Sequence, residues 1–304
     1  MGQYMKKLLI FVIILIAGAF GLSHFKNDKI ASEFTKQIDT VESLTHGPVS
    51  CEGFINADCS IEAITYQGLL LADSLTLKGI DPTVQFEEGT FINLPVNAEI
   101  KNAKFSLFDI SSMLQDKIHE ELKNFFTKYT MDYDISITAN FLTDGKRVRD
   151  IDILELDAKD KITPFLLKGK VSQIDTYPIL NGFEGSFDFS SKRIVFYDFI
   201  KEMRQCCLDK FPERYIKMSD EEIWNDMIAQ TSEALKMNLK NQFNQDIETD
   251  LMKAMLALLQ DERNILDLKV TAKKETPLEQ TVMMFFIAGP DAVKEVYDIK
   301  VKAK

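Results

Sequence analysis

Leu8 to Leu22 runs for fifteen residues through nothing but apolar side chains and glycine, with Lys6 and Lys7 ahead of it and Lys26, Asp28 and Lys29 behind. A stretch of that kind belongs in a membrane, where a chain must satisfy its own backbone hydrogen bonds and therefore coils into a helix. Fifteen residues fall short of the roughly 20 that cross a hydrocarbon core. Tyr4 and Met5 on one side and Ser23, His24 and Phe25 on the other extend the run at the interfaces. Lysines before the run and no acid until Asp28 place the amino terminus in the cytoplasm and everything after Phe25 outside it. A cleaved signal peptide is the alternative, because Ala17, Gly18 and Ala19 supply the small residues that precede such a cut. The anchor is favoured by the adjoining segment, in which Ile30, Phe34, Ile38, Val41 and Leu44 recur at helical spacing and read as an amphipathic stalk over 26–46. No cysteine directly succeeds the run, which argues against bacterial lipidation.

Lys6 and Lys7 are the only charges before Lys26, so the net charge of −11 for the whole chain becomes −13 beyond them. Such a surface repels phosphate backbones and anionic lipid heads, which excludes nucleic acid as a partner. In an exported chain, thiols meet oxidising conditions. Cys51 and Cys59 flank the turn-prone Ile55-Asn56-Ala57-Asp58, so strands Val49 to Phe54 and Ser60 to Tyr66 form a hairpin that makes the two a disulfide candidate. Buried free thiols are the alternative. Their spacing is not Cys-x-x-Cys, so redox catalysis has no support. Cys206 and Cys207 are adjacent and read as core residues, with a second bridge as the sharper alternative.

From Pro48 to Phe108 the sequence alternates as strands do, in Ser60 to Tyr66, Leu70 to Ile80, Thr83 to Phe91 and Val96 to Leu107. The last of these slips register near Asn102, the mark of a bulge. An amphipathic helix comes next, over Ile110 to Tyr129, with Ser112 and Gln115 as a capping box. The order then recurs. Tyr133 to Phe141, Ile151 to Leu156, Phe165 to Ile174 and Gly185 to Phe196 are strand-like, Gly182 to Ser186 reads as a turn, and a long helical region comes after. That region starts at about Asp220 behind the capping box Ser219-Asp220-Glu221-Glu222. Its row Leu235, Leu239, Phe243, Ile247, Leu251 steps by four residues. Such a row drifts around a helix, so the helix either wraps across a twisted sheet or breaks around Asn241 to Asn244. The chain closes with strand-like Leu266 to Ala272, a Phe-rich run Val282 to Ile287, a Gly289-Pro290 turn and a strand near Tyr297 to Val301. The fold class is α+β: an antiparallel, curved sheet or sheets with a long amphipathic helix packed on them, after one amino-terminal transmembrane helix. The segments are 1–25 as anchor, 26–46 as stalk and 47–304 as exported domain, the last with two β-then-α halves, 47–130 and 131–304.

No catalytic motif is present. His24, His46 and His119 are the only histidines and none has a partner at ligand spacing; the nucleophile elbow, the Cys-x-x-Cys metal pair and the phosphate-cradling glycine loop are all missing. No catalytic, metal or cofactor-binding residue is therefore named, and no cofactor is expected. The apolar content, 22 Phe and 12 Met with Trp224 the single tryptophan, either fills a core or lines an adaptable apolar site.

Asp73-Ser74-Leu75-Thr76-Leu77-Lys78-Gly79-Ile80 behind one amino-terminal span, and near the end Ile265-Leu266-Asp267-Leu268-Lys269-Val270 with Pro277-Leu278 beyond it, resemble the bacterial envelope proteins of the AsmA and YdgA kinds. The resemblance implies work on envelope integrity or lipid movement in a periplasm, with no catalytic residue to carry across. The expectation is a single-pass inner-membrane protein whose carboxy-terminal domain lies in the periplasm. Its partners are the membrane and lipid or another envelope protein, and it is not an enzyme. An accessory or scaffold subunit of an inner-membrane complex is the alternative. Lipid handling predicts an apolar cavity lined by Phe, Met, Ile and Leu; a scaffold predicts a filled core and an exposed apolar patch.

Overall fold

The computed structural model of the protein describes residues 31–32, 35–36, 38–39, 43–53, 56–66, 69–81, 89–105, 122, 125, 128–129, 131–144, 147–160, 162–206, 212–243, 250–260, 263–288 and 290–304. The Leu8 to Leu22 run, Thr83 to Glu88, nearly all of Ile110 to Tyr129, the side chains of Cys206 and Cys207, and those of the Leu235 to Leu251 row lie outside these residues. Among the described residues no helix is long and apolar enough to cross a membrane.

Among the described residues eleven strands form one open antiparallel sheet: β1 (Leu44–Thr45), β2 (Val49–Glu52), β3 (Ala57–Tyr66), β4 (Leu69–Ile80), β5 (Ile92–Phe105), β6 (Met131–Thr143), β7 (Val148–Lys159), β8 (Phe165–Ser172), β9 (Ile179–Asp188), β10 (Ile265–Ala272) and β11 (Tyr297–Ala303). From β3 onward each strand pairs with the next in sequence, while β1 and β2 both pair with β3. The architecture is α+β. Five helices accompany the sheet among the described residues: α1 (Lys192–Cys206), α2 (Asp220–Phe243), α3 (Asp250–Leu259), α4 (Leu278–Ala288) and α5 (Pro290–Lys294). The two halves read from the sequence share the sheet, because β5 pairs with β6.

Alternation places one apolar face on the sheet, and bulges keep it continuous. In β5 the buried positions are Leu94, Val96, Ala98 and Ile100, then Ala103. The change of parity falls at Asn102, where φ is +49° and the register with β6 shifts. A second shift between β6 and β7 leaves Leu154 as the extra, exposed residue, so that Ile151 and Ile153 share a face with Leu156 and Ala158. Cys59, Ile61, Leu75, Leu77 and Ile100 are sealed on that face, and Ile38 of the helical segment before β1 is buried against them. The carboxy-terminal end of the expected stalk is thus part of the core.

The structure corrects four local expectations. Gly182 to Ser186 is not a turn but the middle of β9. Its glycines serve close packing: a Cβ on Gly169 of β8 would stand 3.1 Å from the Gly182 carbonyl oxygen, and one on Gly185 would stand 2.8 Å from the Phe187 ring. Gly185 to Phe196 is not one strand, since β9 stops at Asp188 and Phe196 lies in α1. The Asp188 carboxylate accepts the Ser190 amide at 2.8 Å, a local turn that competes with strand pairing, and the Ser191 carbonyl accepts the Val195 amide to start the helix. The Cys51 hairpin is also tighter than expected: Ala57 and Asp58 are already strand, and the chain reverses at Gly53, whose φ is +141° and whose Cβ would meet the Asn56 oxygen at 1.9 Å. The Val282 to Ile287 run is helical, within α4, and Pro290 is the first residue of α5.

A second cluster of buried residues, smaller among the described residues, is helical. Leu122, the α1 residues Ile200 and Met203, Tyr215 of a 3₁₀ turn (Glu213–Tyr215) and Ile223 of α2 bury one another, with Phe196, Phe199, Met218 and Met227 around them. The described start of α2 packs there; the helix that lies over the sheet is α3, against β10 and β11, with Ala254 and Leu258 buried. Ser219 caps α2 as read: its amide donates to Glu222 Oε2 at 2.7 Å, and the Glu222 amide donates to Ser219 Oγ at 3.3 Å. Those bonds from Ser219, the backbone one first, hold the Glu222 carboxyl below its ordinary range. The described helix α2 ends at Phe243 and α3 begins at Asp250.

Candidate binding surfaces

Register fixes what β8 to β11 present. On one face, successive rows across the four strands read Phe165, Phe187, Leu266, Ala303; then Leu167, Gly185, Leu268, Val301; then Gly169, Phe183, Val270, Ile299. This continues the apolar face of β3 to β7, but the cover differs. Over β3 to β5 the same face is sealed, whereas Phe165, Leu167, Phe183, Phe187, Leu266, Leu268, Val270, Ile299 and Val301 are all only half-buried. The Phe165 ring packs edge-on against Tyr133 and stacks on Phe187, so the aromatic part of the surface is ordered.

The other face of these strands carries charge. Its rows are Lys168, Glu184, Lys269, Lys300 and, one step along, Leu166, Ser186, Asp267, Lys302. They line a groove of about 380 Å³. Lys269 donates to Glu184, Lys304 pairs with Asp267 at 2.5 Å, and Ser186 Oγ donates to Asp267 at 2.8 Å. The bond from Lys269 holds the Glu184 carboxyl below its usual range, and that from Lys304 does the same for Asp267.

A cleft of about 670 Å³ opens between the ends of β6 and β7 and helix α1, lined by Tyr129, Asp132, Asp134, Lys159, Asp160 and Ile194 among others. At its rim Asp198 of α1 accepts from Lys128 and, at 2.5 Å, from the Tyr129 hydroxyl. Those two bonds, Lys128 first, lower the Asp198 carboxyl. Burial and then Asp198 raise the Tyr129 phenol, and the bond to Asp198 raises the Lys128 ammonium. Anchoring the helical cluster to the sheet end is what this arrangement does chemically; its acid and base are already spent on each other.

Cys51 and Cys59 stand directly opposite on β2 and β3 with sulfurs bonded and Cα atoms 4.1 Å apart, the close spacing of a non-hydrogen-bonded antiparallel pair. His46 sits at the start of the domain, its Nδ1 2.7 Å from the Gly47 carbonyl and its Nε2 3.2 Å from Asp39. His24 and His119 lie outside the described residues. Among the described residues no group of three or more His, Cys, Asp or Glu is placed to hold a metal ion. Among the described residues the apolar rows of β8 to β11 are half-buried, and the two cavities above have charged side chains in their linings. An exposed apolar patch is present too: Leu278, Val282 and Met283 of α4, beside Tyr177, whose turn is tied to α4 by the Leu278 amide bonding to the Pro178 carbonyl. Sequence reasoning missed the lysine rows, although Lys300, Lys302 and Lys304, like Lys168 and Lys170, recur at the two-residue period of a strand. No protein-family model matches the chain, and no curated protein matches it.

Proposed function

We propose that the chain is a non-catalytic binding protein of the bacterial envelope that holds the acyl part of a lipid along the half-covered apolar face of β8 to β11. In this reading the apolar run Leu8 to Leu22 anchors it in the inner membrane, with the domain in the periplasm, as in the AsmA and YdgA kinds of protein it resembles. The carrying observation is the contrast in cover: one apolar face runs across the sheet, sealed at β3 to β5 and half-open at β8 to β11. Apolar rows of this extent left accessible to water are unfavourable by about 25 cal/mol per Å², a cost that a bound acyl chain relieves. Register shifts at Asn102 in β5 and Leu154 in β7 keep the apolar side chains on that one face. The experiment uses photo-cross-linking residues at Leu268 of β10 and, as the control, at the exposed Lys78 of β4, in the full chain within membranes. Lipid adducts at Leu268 and none at Lys78 are expected, with lipid copurifying in native mass spectrometry. Equal labelling at the two sites, or none at either, overturns the reading.

The alternative, an accessory subunit of a membrane complex, is favoured by one observation, the exposed Leu278, Val282 and Met283 of α4. It requires that Met283→Glu dissolve a larger assembly seen on native gels while leaving cross-linking at Leu268 intact.

A further inference from the structure

We propose that the groove on the charged face of β8 to β11 is a binding site for a phosphate-bearing ligand, held by the ammonium groups of Lys168, Lys269, Lys300 and Lys302. The chain as a whole is acidic, with 47 acidic against 36 basic residues, yet this groove sets four lysines against the two carboxylates of Glu184 and Asp267. Register makes the concentration more pointed, since Lys269 and Lys300 stand directly opposite each other on β10 and β11. Like charges in that position destabilise a sheet. The carboxylates do not use up the lysines. Glu184 takes Lys269, and Asp267 takes Lys304 and the Ser186 hydroxyl, so both acids act as posts that fix donors in place. Lys300 leans on Asp298 at 3.4 Å. Lys168 and Lys302 make no ion pair among the described residues and are drawn only at longer range toward Glu184 and Asp267. Two positioned and two unengaged cationic ends around a hollow of about 380 Å³ match a phosphate monoester or diester, whose oxygens accept several charge-assisted hydrogen bonds at once.

The competing account is protection of an open sheet edge, for which lysines are common. It covers Lys300 and Lys302 on the edge strand β11 and Lys304 just beyond it, but not Lys168 on β8 or Lys269 on β10, each of which has a neighbour on both sides. The site lies on the opposite face of the strands from the apolar rows and does not rest on the lipid reading.

Calorimetric titration of the full chain in an uncharged detergent, with glycerol phosphate and separately with a short-chain phosphatidylglycerol as probes, tests it. Saturable binding is expected, weakened about tenfold or more by the exposed double substitution Lys168→Gln with Lys302→Gln. The charge-matched control Lys78→Gln with Lys101→Gln leaves it unchanged. Binding of glycerol phosphate identifies a free organic phosphate as sufficient, whereas binding of the lipid probe alone assigns the site to a lipid headgroup. No binding of either probe, or equal weakening by both pairs, overturns the proposal. Lipid adducts at Leu268 without anion binding would remove this site and leave the apolar face standing.

Discussion

Ile61 in the sheet and Ile223 in the helical cluster are equally sealed from solvent, yet their surroundings have little in common. Ile61 faces Leu75 across a ladder of backbone bonds, within a cluster that extends over β1 to β8. Around Ile223 the buried set among the described residues is five, Ile223 included, and the elements that supply it are joined by polar contacts. Arg204 donates to Asp220 at 2.5 Å and to the Met218 carbonyl; the Tyr215 hydroxyl donates to Asp226 at 2.6 Å, and Gln230 bonds the same pair. A large apolar core resists acid and salt, and its loss is global. A small core tied by ion pairs responds to both and can open by itself. Trp224, packed edge-on against Phe196 and the only tryptophan, reports on the helical cluster alone.

The sharpest attack on this contrast is a matched pair of cavities. Ile61→Ala is expected to cost about 4 kcal/mol, within the range for emptying a buried aliphatic site. Ile223→Ala is expected to cost about 2 kcal/mol, because a small cluster collapses around the gap. In denaturant, the first shifts the far-ultraviolet dichroism and the Trp224 fluorescence together; the second shifts the fluorescence alone. Coincident shifts in both variants would make the molecule one cooperative unit. Next in size is the hairpin bridge. Replacing Cys51 and Cys59 by Ala is expected to cost about 2 to 3 kcal/mol in the chain-entropy account, seen in the sheet signal. Peptide mapping without reduction should recover the two cysteines linked.

Ser219→Ala removes one cap from α2 and is expected to cost about 1 kcal/mol, read in the fluorescence transition. The smallest effect concerns Asp198. Its carboxyl is held low by Lys128 and then Tyr129, so it adds stability above the ordinary carboxylate range, and that contribution is lost as pH falls below about 4. Asp198→Asn should therefore flatten the acid limb of the Trp224 signal while leaving neutral pH behaviour of the sheet unchanged. An acid limb identical to that of the parent would detach Asp198 from the stability of the cluster.

Much of the sheet was legible because alternation is local: Val96 to Leu107 announced both a strand and its slip at Asn102, and the Ser219 box announced the start of α2. The pairing of the hairpin cysteines was legible from a turn-prone stretch between two strand-like segments, although the turn itself fell earlier. What escaped depended on partners far away in sequence. Gly182 and Gly185 look like turn residues until Gly169 and the Phe183 and Phe187 rings are seen against them. Phe196 continues the alternation of a strand, but Asp188 turns the chain first and Trp224 receives its ring. The helical cluster draws on segments as distant as Leu122 and Ile223, a combination no window of sequence displays. The groove lysines were visible as a two-residue rhythm, yet only the register between β8, β9, β10 and β11 brings them to one place.

The order of the strands also has a kinetic meaning. From β3 to β9 each strand can zip onto the one just before it, the longest connection being residues 106–130 between β5 and β6. The tenth strand is different, because the whole helical insertion separates it from β9. A chain emerging amino terminus first therefore holds β9 as a bare edge, with its glycines and two phenylalanines uncovered, until the last forty residues arrive. That interval leaves an unpaired strand edge open to misassembly until β10 arrives to cover it.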